Sequence, residues 1–302
     1  MDTDLIHEFG SHTEWNESFY FNFYDRSSDV CGFMRIGLKP NKNEKSVFCF
    51  LLLPDGSIVG FKGDTPYSGP ELSVNGLTFT KVMPEKHWKL DFKGMMVKLA
   101  SQPQPVSATF DLEFEAMNRM FDYRSCVNAE KEAMSKSVVS EHLEQFGRIT
   151  GTLSIGDRSY NINGLGERDH SWGIREWTAP KMWIWLTCQF SEKEGLNVTK
   201  LAVEQGEVDA GFVHLNGMSM PLDAVSIDTK YGADGGPKSF RMIMKDKDGK
   251  QYYIDAEILR QVMMPFDSPD KKGSSIMYET LARYRMDGKT GYGIAEYLIK
   301  KS

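Results

Sequence analysis

Apolar and polar positions alternate with a period of two in short stretches along most of the chain. The clearest case is residues 107–117, where Phe110, Leu112 and Phe114 share one face and acidic or hydroxyl residues share the other. Such alternation predicts a β-strand with one face in a core and the other in water. Asp-Gly and Asn-Gly pairs between the stretches predict antiparallel hairpins, so the pattern indicates an all-β protein.

The predicted strands form two groups on either side of a glycine-rich stretch at residues 164–177. The first group is residues 19–25, 32–38, 47–53, 57–62, 77–82, 87–92, 95–100 and 107–117; the second is 182–190, 196–204, 207–216, 223–230, 240–245, 252–259, 278–285 and 292–298. Roughly eight strands a side favour two antiparallel barrels or half-barrels in tandem. We predict an N-terminal domain at residues 1–175 and a C-terminal domain at residues 176–302.

Two stretches depart from this pattern. Between residues 128 and 146 apolar positions recur at spacings of three and four, which predicts a short helical insertion near 128–142. The end of this helix stays open, because residues 141–155 are equally compatible with an extended strand that contains glycine bulges. Residues 47–53 are apolar on both faces, so we expect the outer face of this strand to be covered.

Net charge and the lack of targeting signals argue against a nucleic-acid-binding, secreted or membrane-anchored protein. Lys and Arg number 36 against 42 Asp and Glu, a formal charge of −6, so no basic field attracts nucleic acid. The N-terminal residues lack the basic start and apolar run of a secretory signal, and no stretch is apolar enough for a membrane anchor. We expect a cytoplasmic protein that binds no nucleic acid and has no stable membrane anchor. Transient membrane contact and homo-oligomerisation stay open.

Cysteine spacing and sequence motifs give no support for a metal or a cofactor. The cysteines have neither CxxC spacing nor nearby histidines, so we expect buried free thiols; they are Cys31, Cys49, Cys126 and Cys188. A glycine-rich nucleotide loop, an HExxH pattern and an EF-hand are all absent from the sequence. We therefore expect no metal and no cofactor.

Residues 164–177, GLGERDHSWGIREW, hold the densest group of chemically versatile side chains. Asp169 and His170 are adjacent, so in an extended segment they point to opposite faces and each needs its own partner. Asp169 is either a turn residue or an acid in an aromatic pocket, where desolvation raises its pKa towards neutrality. His170 is either a catalytic base or a hydrogen-bonded structural residue.

A carboxylate on an apolar face predicts an ion pair. Glu296 shares a predicted strand face with apolar side chains, and a buried carboxylate needs a partner. We predict that Arg168 or Arg175 pairs with Glu296. Residues 164–177 would then act as a hinge between the two barrels.

Residues 182–190, MWIWLTCQF, place two indoles, a hydroxyl and an amide on one strand face. A face with Trp183, Trp185 and Gln189 is typical of a ligand cavity, and equally of a contact between domains. The other predicted substrate-binding residues are His142, Trp172 and Trp177.

The run GERDHSWGIR at residues 166–175, preceded by EQFGR at residues 144–148, resembles the AttH-like and carotenoid 1,2-hydratase (hydroxyneurosporene synthase) superfamily. The resemblance implies two tandem lipocalin-like β-barrels and, for the hydratases, addition of water to an isoprenoid double bond. It further implies that Asp169 donates the proton and that Trp172, Trp183 and Trp185 stabilise the resulting cation. Likeness outside this run is too slight to imply a carotenoid substrate.

The leading hypothesis is a cofactor-independent hydratase, isomerase or cyclase. Its substrate would be a hydrophobic, isoprenoid- or steroid-like molecule, and the reaction would start with protonation of an alkene. The alternative is a lipocalin-like carrier that binds such a molecule without converting it. A third hypothesis is an interaction module without a small-molecule pocket.

Overall fold

The computed structural model describes residues 3–127, 133, 141–175, 180–267 and 274–300. The chain forms two compact units, one from residues 1–121 and 142–174 and the other from residues 122–141 and 175–302. Antiparallel strands build both units, which confirms the predicted all-β fold with two barrel-like domains. Within the described ranges, no helix has the length and apolar character needed to cross a membrane.

The first unit is built on one large sheet. Its strands are β1 (Trp15–Asp25), β2 (Val30–Lys39), β3 (Glu44–Leu52), β4 (Ile58–Thr65), β5 (Ser73–Val74), β6 (Leu77–Met83), β7 (His87–Leu99), β8 (Gln104–Ala116), β9 (Phe121–Asp122), β10 (Glu141–Ile155) and β11 (Arg158–Ile174). Neighbouring strands follow the order β4-β3-β2-β1-β11-β10-β8-β7-β6-β5, and β9 pairs with β10. A further pairing of β4 with β7 closes the sheet on itself.

Alternate residues of these strands fill the interior of the first unit. Phe21 of β1 meets Phe79 and Phe114 edge-on, with ring centroids 4.9 Å and 5.5 Å apart. Aromatic rings prefer this arrangement to face-to-face stacking, and the buried rings remove a large apolar area from water. Strand β3 is buried on both faces: Val47, Cys49 and Leu51 join the core, and Phe48 and Phe50 on the other face are also buried. The expectation of a covered outer face is therefore met.

The second unit contains a closed barrel of eight strands. In barrel order these are β12 (Met182–Ser191), β13 (Glu194–Val203), β14 (Gly206–Leu215), β15 (Met218–Tyr231), β16 (Pro237–Asp246), β17 (Gln251–Asp267), β18 (Ser274–Met286) and β19 (Lys289–Lys300). Sequential neighbours pair throughout, and β19 pairs with β12 to close the barrel. A closed barrel leaves no strand edge exposed to unwanted pairing.

Three sequence predictions change with the structure. The predicted helix falls mainly on residues 128–132 and 134–140, outside the described residues, and Glu141 and His142 already belong to strand β10. His87–Leu99 form one strand rather than the two predicted at residues 87–92 and 95–100, because β7 continues through Gly94. Residues 165–174 of strand β11 pair with β1, so this part of the predicted hinge at residues 164–177 is a strand of the first sheet. Gly166 permits this pairing, since a Cβ there would lie 1.9 Å from the carbonyl oxygen of Asn22.

Candidate functional site

Strand β11 distributes the side chains of the dense motif over two faces of the sheet. Arg168 and His170 stand opposite core residues of β1, and directly opposed residues of an antiparallel pair point the same way. Asp169 stands opposite Tyr20 and points to the other face. Asp169 and His170 therefore serve two different environments, as their adjacent positions predict.

The Asp169 carboxylate is held through both of its oxygens. The hydroxyl of Ser171, two residues along the same face, donates to Oδ1 at 2.9 Å. The Nε2 atom of His142, on the adjacent strand β10, contacts Oδ2. Asp169 keeps 11% of its side-chain surface exposed, so it is the least enclosed member of this group. The structure thus places Asp169 and His142 together, although the sequence analysis predicted them separately as catalytic and substrate-binding residues.

His142 is a buried cation flanked by two carboxylates. Its Nε2 lies 2.8 Å from Oε1 of Glu144, whose side chain has no exposed surface. Burial lowers the pKa of His142, but the charges and hydrogen bonds of Asp169 and Glu144 outweigh it and raise the pKa to about 9. The imidazole consequently carries a proton at neutral pH, and that proton is shared with a carboxylate that retains some access to solvent.

Aromatic and cationic side chains extend from Asp169 across the same face of the sheet. Tyr20 opposes Asp169 on β1, Arg35 opposes Tyr20 on β2, and Phe48 opposes Arg35 on β3. The Tyr20 and Phe48 rings lie 6.2 Å apart in an edge-on arrangement. Arg35 donates from Nε to the Ser18 hydroxyl at 2.7 Å, so its position is fixed by hydrogen bonds. Asp169 thus lies beside an aromatic surface that contains one ordered cation.

His170 and Arg168 are committed to buried contacts on the core side of the sheet. Nε2 of His170 lies 2.9 Å from Oε1 of Glu17, and its ring stacks on Phe19 with centroids 4.1 Å apart. Arg168 forms an ion pair with Asp4 at 2.6 Å and donates from Nε to a glutamine on β10. The two residues shape the interior of the first unit. The ion pair observed for Arg168 is made with Asp4 rather than with the predicted partner Glu296.

Trp172 belongs to the His170 side of β11 and not to the Asp169 side. Its ring stacks on His7 with a centroid distance of 3.8 Å and lies 5.0 Å from the His170 ring. The predicted role of Trp172 as a wall of the Asp169 site is therefore corrected, because residues three apart in a strand point to opposite faces. Trp177 lies outside the described residues.

Strand β12 presents the predicted polar and aromatic face on the side away from its barrel core. Trp183, Trp185 and Gln189 lie on this face and are buried, with only 4% to 6% of their surface exposed. The Arg175 guanidinium lies 5.9 Å from the centroid of the Trp183 ring. Glu296 stands opposite Trp185 in the β12–β19 register and is half-buried. A pair between Arg175 and Glu296 stays a prediction.

The acidic partners of three predicted site residues were not apparent from the sequence pattern. Glu144 supports His142, Glu17 contacts His170, and Asp4 pairs with Arg168. Glu144 follows His142 by two residues in an extended stretch, so a same-face signal existed in the sequence. Asp4 and Glu17 are separated from their partners by 164 and 153 residues, a distance over which periodicity carries no information.

Comparison with solved structures identifies the architecture. An AttH-assigned protein from Nitrosomonas europaea superposes with a TM-score of 0.67 at 10% identity, covering 98% of both chains. CghA, crystallised with Sch210972, gives a TM-score of 0.63 at 11% identity over 99% of this chain and 94% of its own. Kievitone hydratase from Nectria haematococca gives 0.62 at 12% identity over 93% of this chain and 88% of its own.

These neighbours confirm the resemblance to AttH-like proteins at the level of the fold. No curated protein sequence matches this chain. The family described as DUF7064, a domain of unknown function, matches residues 1–301, and this chain belongs to that family.

Proposed function

We propose that this protein is a cofactor-independent enzyme that protonates an alkene of a hydrophobic small molecule. Asp169 is the group that delivers the proton, and His142 is its proton store. The observation that carries this proposal is the contact of Asp169 with a buried imidazolium whose pKa is raised to about 9. A proton is thereby retained at neutral pH beside a carboxylate that is still partly exposed.

The chemistry needs one proton and, for hydration, one water molecule. The proton moves from His142 to the Asp169 carboxylate and from there to one alkene carbon, where the π electrons form the new C–H bond. The cation left on the other carbon is captured by water, and the surplus proton returns to the carboxylate. Dehydration is the reverse of this hydration. If the cation instead loses a proton from a different carbon, the product is an isomer of the alkene. If a second alkene of the same molecule attacks the cation, the product is a ring.

The surface around Asp169 suits a substrate that becomes a cation. Tyr20 stands opposite Asp169, and an aromatic face stabilises positive charge; Phe48 lies farther away, beyond the Arg35 guanidinium, which is held by the Ser18 hydroxyl. The Glu144 carboxylate adds a second negative charge beside the His142 imidazole. Negative charge near the site favours a substrate intermediate that carries a positive charge. Trp183 and Trp185 remain predicted substrate-binding residues, since their buried face combines indoles with polar groups.

The structural neighbours support this class of reaction by analogy. One of them is a hydratase by name, and another was crystallised with Sch210972. At 10% to 12% identity the likeness extends to the fold, and a fold hosts many chemistries. The proposal therefore rests on the geometry of Asp169 and His142, and the substrate class remains a hydrophobic isoprenoid- or steroid-like alkene.

Incubation with a panel of isoprenoid and steroid alkenes in deuterium oxide tests the proposal. Mass spectrometry should detect products with deuterium on carbon, because every variant of the reaction begins with protonation of the alkene. Asp169→Asn and His142→Gln should each lower the rate about 100-fold or more. Asp157→Asn is the matched control, since Asp157 is an exposed acid in the turn before β11, and it should keep full activity.

Circular dichroism and melting curves establish that each variant is folded. Full activity in folded Asp169→Asn would refute the assigned acid. Tight binding of panel members without deuterium incorporation would instead support the carrier hypothesis.

A further inference from the structure

Inside the first unit, the carboxylate of Glu17 lies between two imidazole rings. Oε1 of Glu17 is 2.8 Å from Nδ1 of His7 and 2.9 Å from Nε2 of His170. Glu17 and His170 have no exposed side-chain surface, whereas His7 keeps 33% exposed. Three groups that bind metal ions thus converge at one point that is buried on one side and accessible on the other.

The hydrogen bonds of His170 direct its Nε2 atom at Glu17. The other ring nitrogen, Nδ1, lies 2.7 Å from the carbonyl oxygen of Thr3. A carbonyl oxygen only accepts, so Nδ1 carries the hydrogen, and in the neutral ring Nε2 then presents a lone pair. That lone pair is directed at Oε1 of Glu17, 2.9 Å away, so both atoms can coordinate an ion held between them.

We propose that this cluster is a binding site for a divalent transition metal ion, of which zinc is the type case. Nδ1 of His7, Oε1 of Glu17 and Nε2 of His170 are the ligands. Two histidines and one carboxylate form a known ligand set for zinc sites that keep an open position. In tetrahedral zinc sites the ligand atoms stand about 3.4 Å apart, so small side-chain rotations that separate these atoms by about half an ångström would admit the ion.

The surroundings of the cluster match those of a metal site. The Thr3 carbonyl accepts from the outer ring nitrogen of His170, which fixes the tautomer that a ligand needs. The backbone N–H of His7 donates to Oε2 of Glu17 at 3.0 Å, so the second carboxylate oxygen is also held. Trp172 stacks on the His7 ring and restricts its rotation. The ligands are therefore oriented before an ion arrives.

A cavity of ≈ 250 Å³ adjoins the cluster and supplies the route for the ion. His7 and Glu17 both line this cavity, together with Ile6, Phe9, Trp15 and Tyr67. At about 30 Å³ per water molecule, the cavity has room for several waters next to the metal. A bound ion would direct its remaining coordination position into this space, where water or a small anion completes the shell.

A second cluster, His142 with Glu144 and Asp169, contains one histidine and two carboxylates and is the competing site. Its single histidine contacts both carboxylates through Nε2, so this cluster offers one imidazole ligand where the His7 cluster offers two. The two clusters lie on opposite faces of β11, so they are separable by mutation. The metal site is also independent of the proposed alkene chemistry.

Titration of chelator-treated full-length protein with Zn²⁺ tests the inference. Calorimetry at near-neutral pH should give one equivalent per chain, and Co²⁺ in place of Zn²⁺ should develop visible absorption bands of low-coordinate cobalt. His7→Ala should weaken Zn²⁺ binding at least about 10-fold, since it removes one ligand from a partly exposed position. Glu17→Gln should do the same, and the His7 variant serves if this buried substitution unfolds the chain.

Two further histidine variants act as controls. His12→Ala removes an exposed histidine of the same N-terminal segment and should leave Zn²⁺ affinity unchanged. His142→Gln removes the histidine of the competing cluster and should also leave it unchanged. The inference is overturned by a stoichiometry far below one, by unchanged affinity in His7→Ala, or by loss of affinity in either control.

Discussion

Replacement of His142 by glutamine tests the buried charge cluster around Asp169 through protein stability. The pKa of His142 is raised from 6.5 to about 9 in the folded protein. That difference corresponds to about 3 kcal/mol of stabilisation by the protonated ring. Because the folded pKa lies above the unfolded one, this stabilisation is complete below pH 6.5 and is lost as the pH rises through about 9.

The measurement is the free energy of unfolding of the wild type and of His142→Gln across this pH window. Urea unfolding followed by circular dichroism gives both values, and subtraction removes the titration of all groups that the two proteins share. The free energy of unfolding of the wild type minus that of His142→Gln should be largest near pH 6.5. Above pH 9 it should be smaller by about 3 kcal/mol. His12→Gln replaces an exposed histidine and should show no such trend. A wild-type-minus-His142→Gln difference that stays constant with pH would refute the assignment of a buried imidazolium.

The remaining predictions concern other buried features of the first unit. Arg168→Met leaves the buried Asp4 carboxylate without its ion pair and should lower the free energy of unfolding in urea by about 3–5 kcal/mol. Arg158→Met removes a cation from an exposed ion pair and should leave the melting temperature unchanged. Gly166→Ala forces a Cβ to 1.9 Å from a backbone oxygen and should cost about 3 kcal/mol in the same assay; Gly10→Ala has room and should be neutral. Once a substrate is found, kcat should fall as the pH rises above about 9, where the proton shared with Asp169 is lost.

Much of the fold follows from local pattern. Alternation in β8 and β12 identified both the strands and the residues that face each core, because the two-residue repeat of a strand needs no distant information. The apolar character of both faces of β3 correctly indicated a covered sheet. Glycine gave mixed guidance. Gly94 continues strand β7 although it lies between two predicted strands, whereas Gly166 lies at a close backbone contact within β11.

The site was only partly predictable, because its decisive contacts join distant parts of the chain. Asp169 stood out because it lies in the densest group of charged and aromatic residues. Strand geometry predicted that Asp169 and His170 point to opposite faces of the sheet. The partnership with His142 depends on which strand lies beside β11, and pairing order is a property of the whole sheet. The same reason explains why no metal motif was visible, since the proposed ligands His7 and Glu17 are 153 or more residues before His170.

The contacts of the first few residues also have a consequence for folding during synthesis. Thr3 and Asp4 find their partners His170 and Arg168 only after 167 and 164 further residues. At typical translation rates that interval is on the order of ten seconds or more. Throughout it, the hydrophobic strand β1 has β2 beside it but lacks β11 on its other edge. A nascent chain of this protein therefore exposes an unpaired edge of β1 until β11 has been made, and an unpaired strand edge is open to non-native pairing.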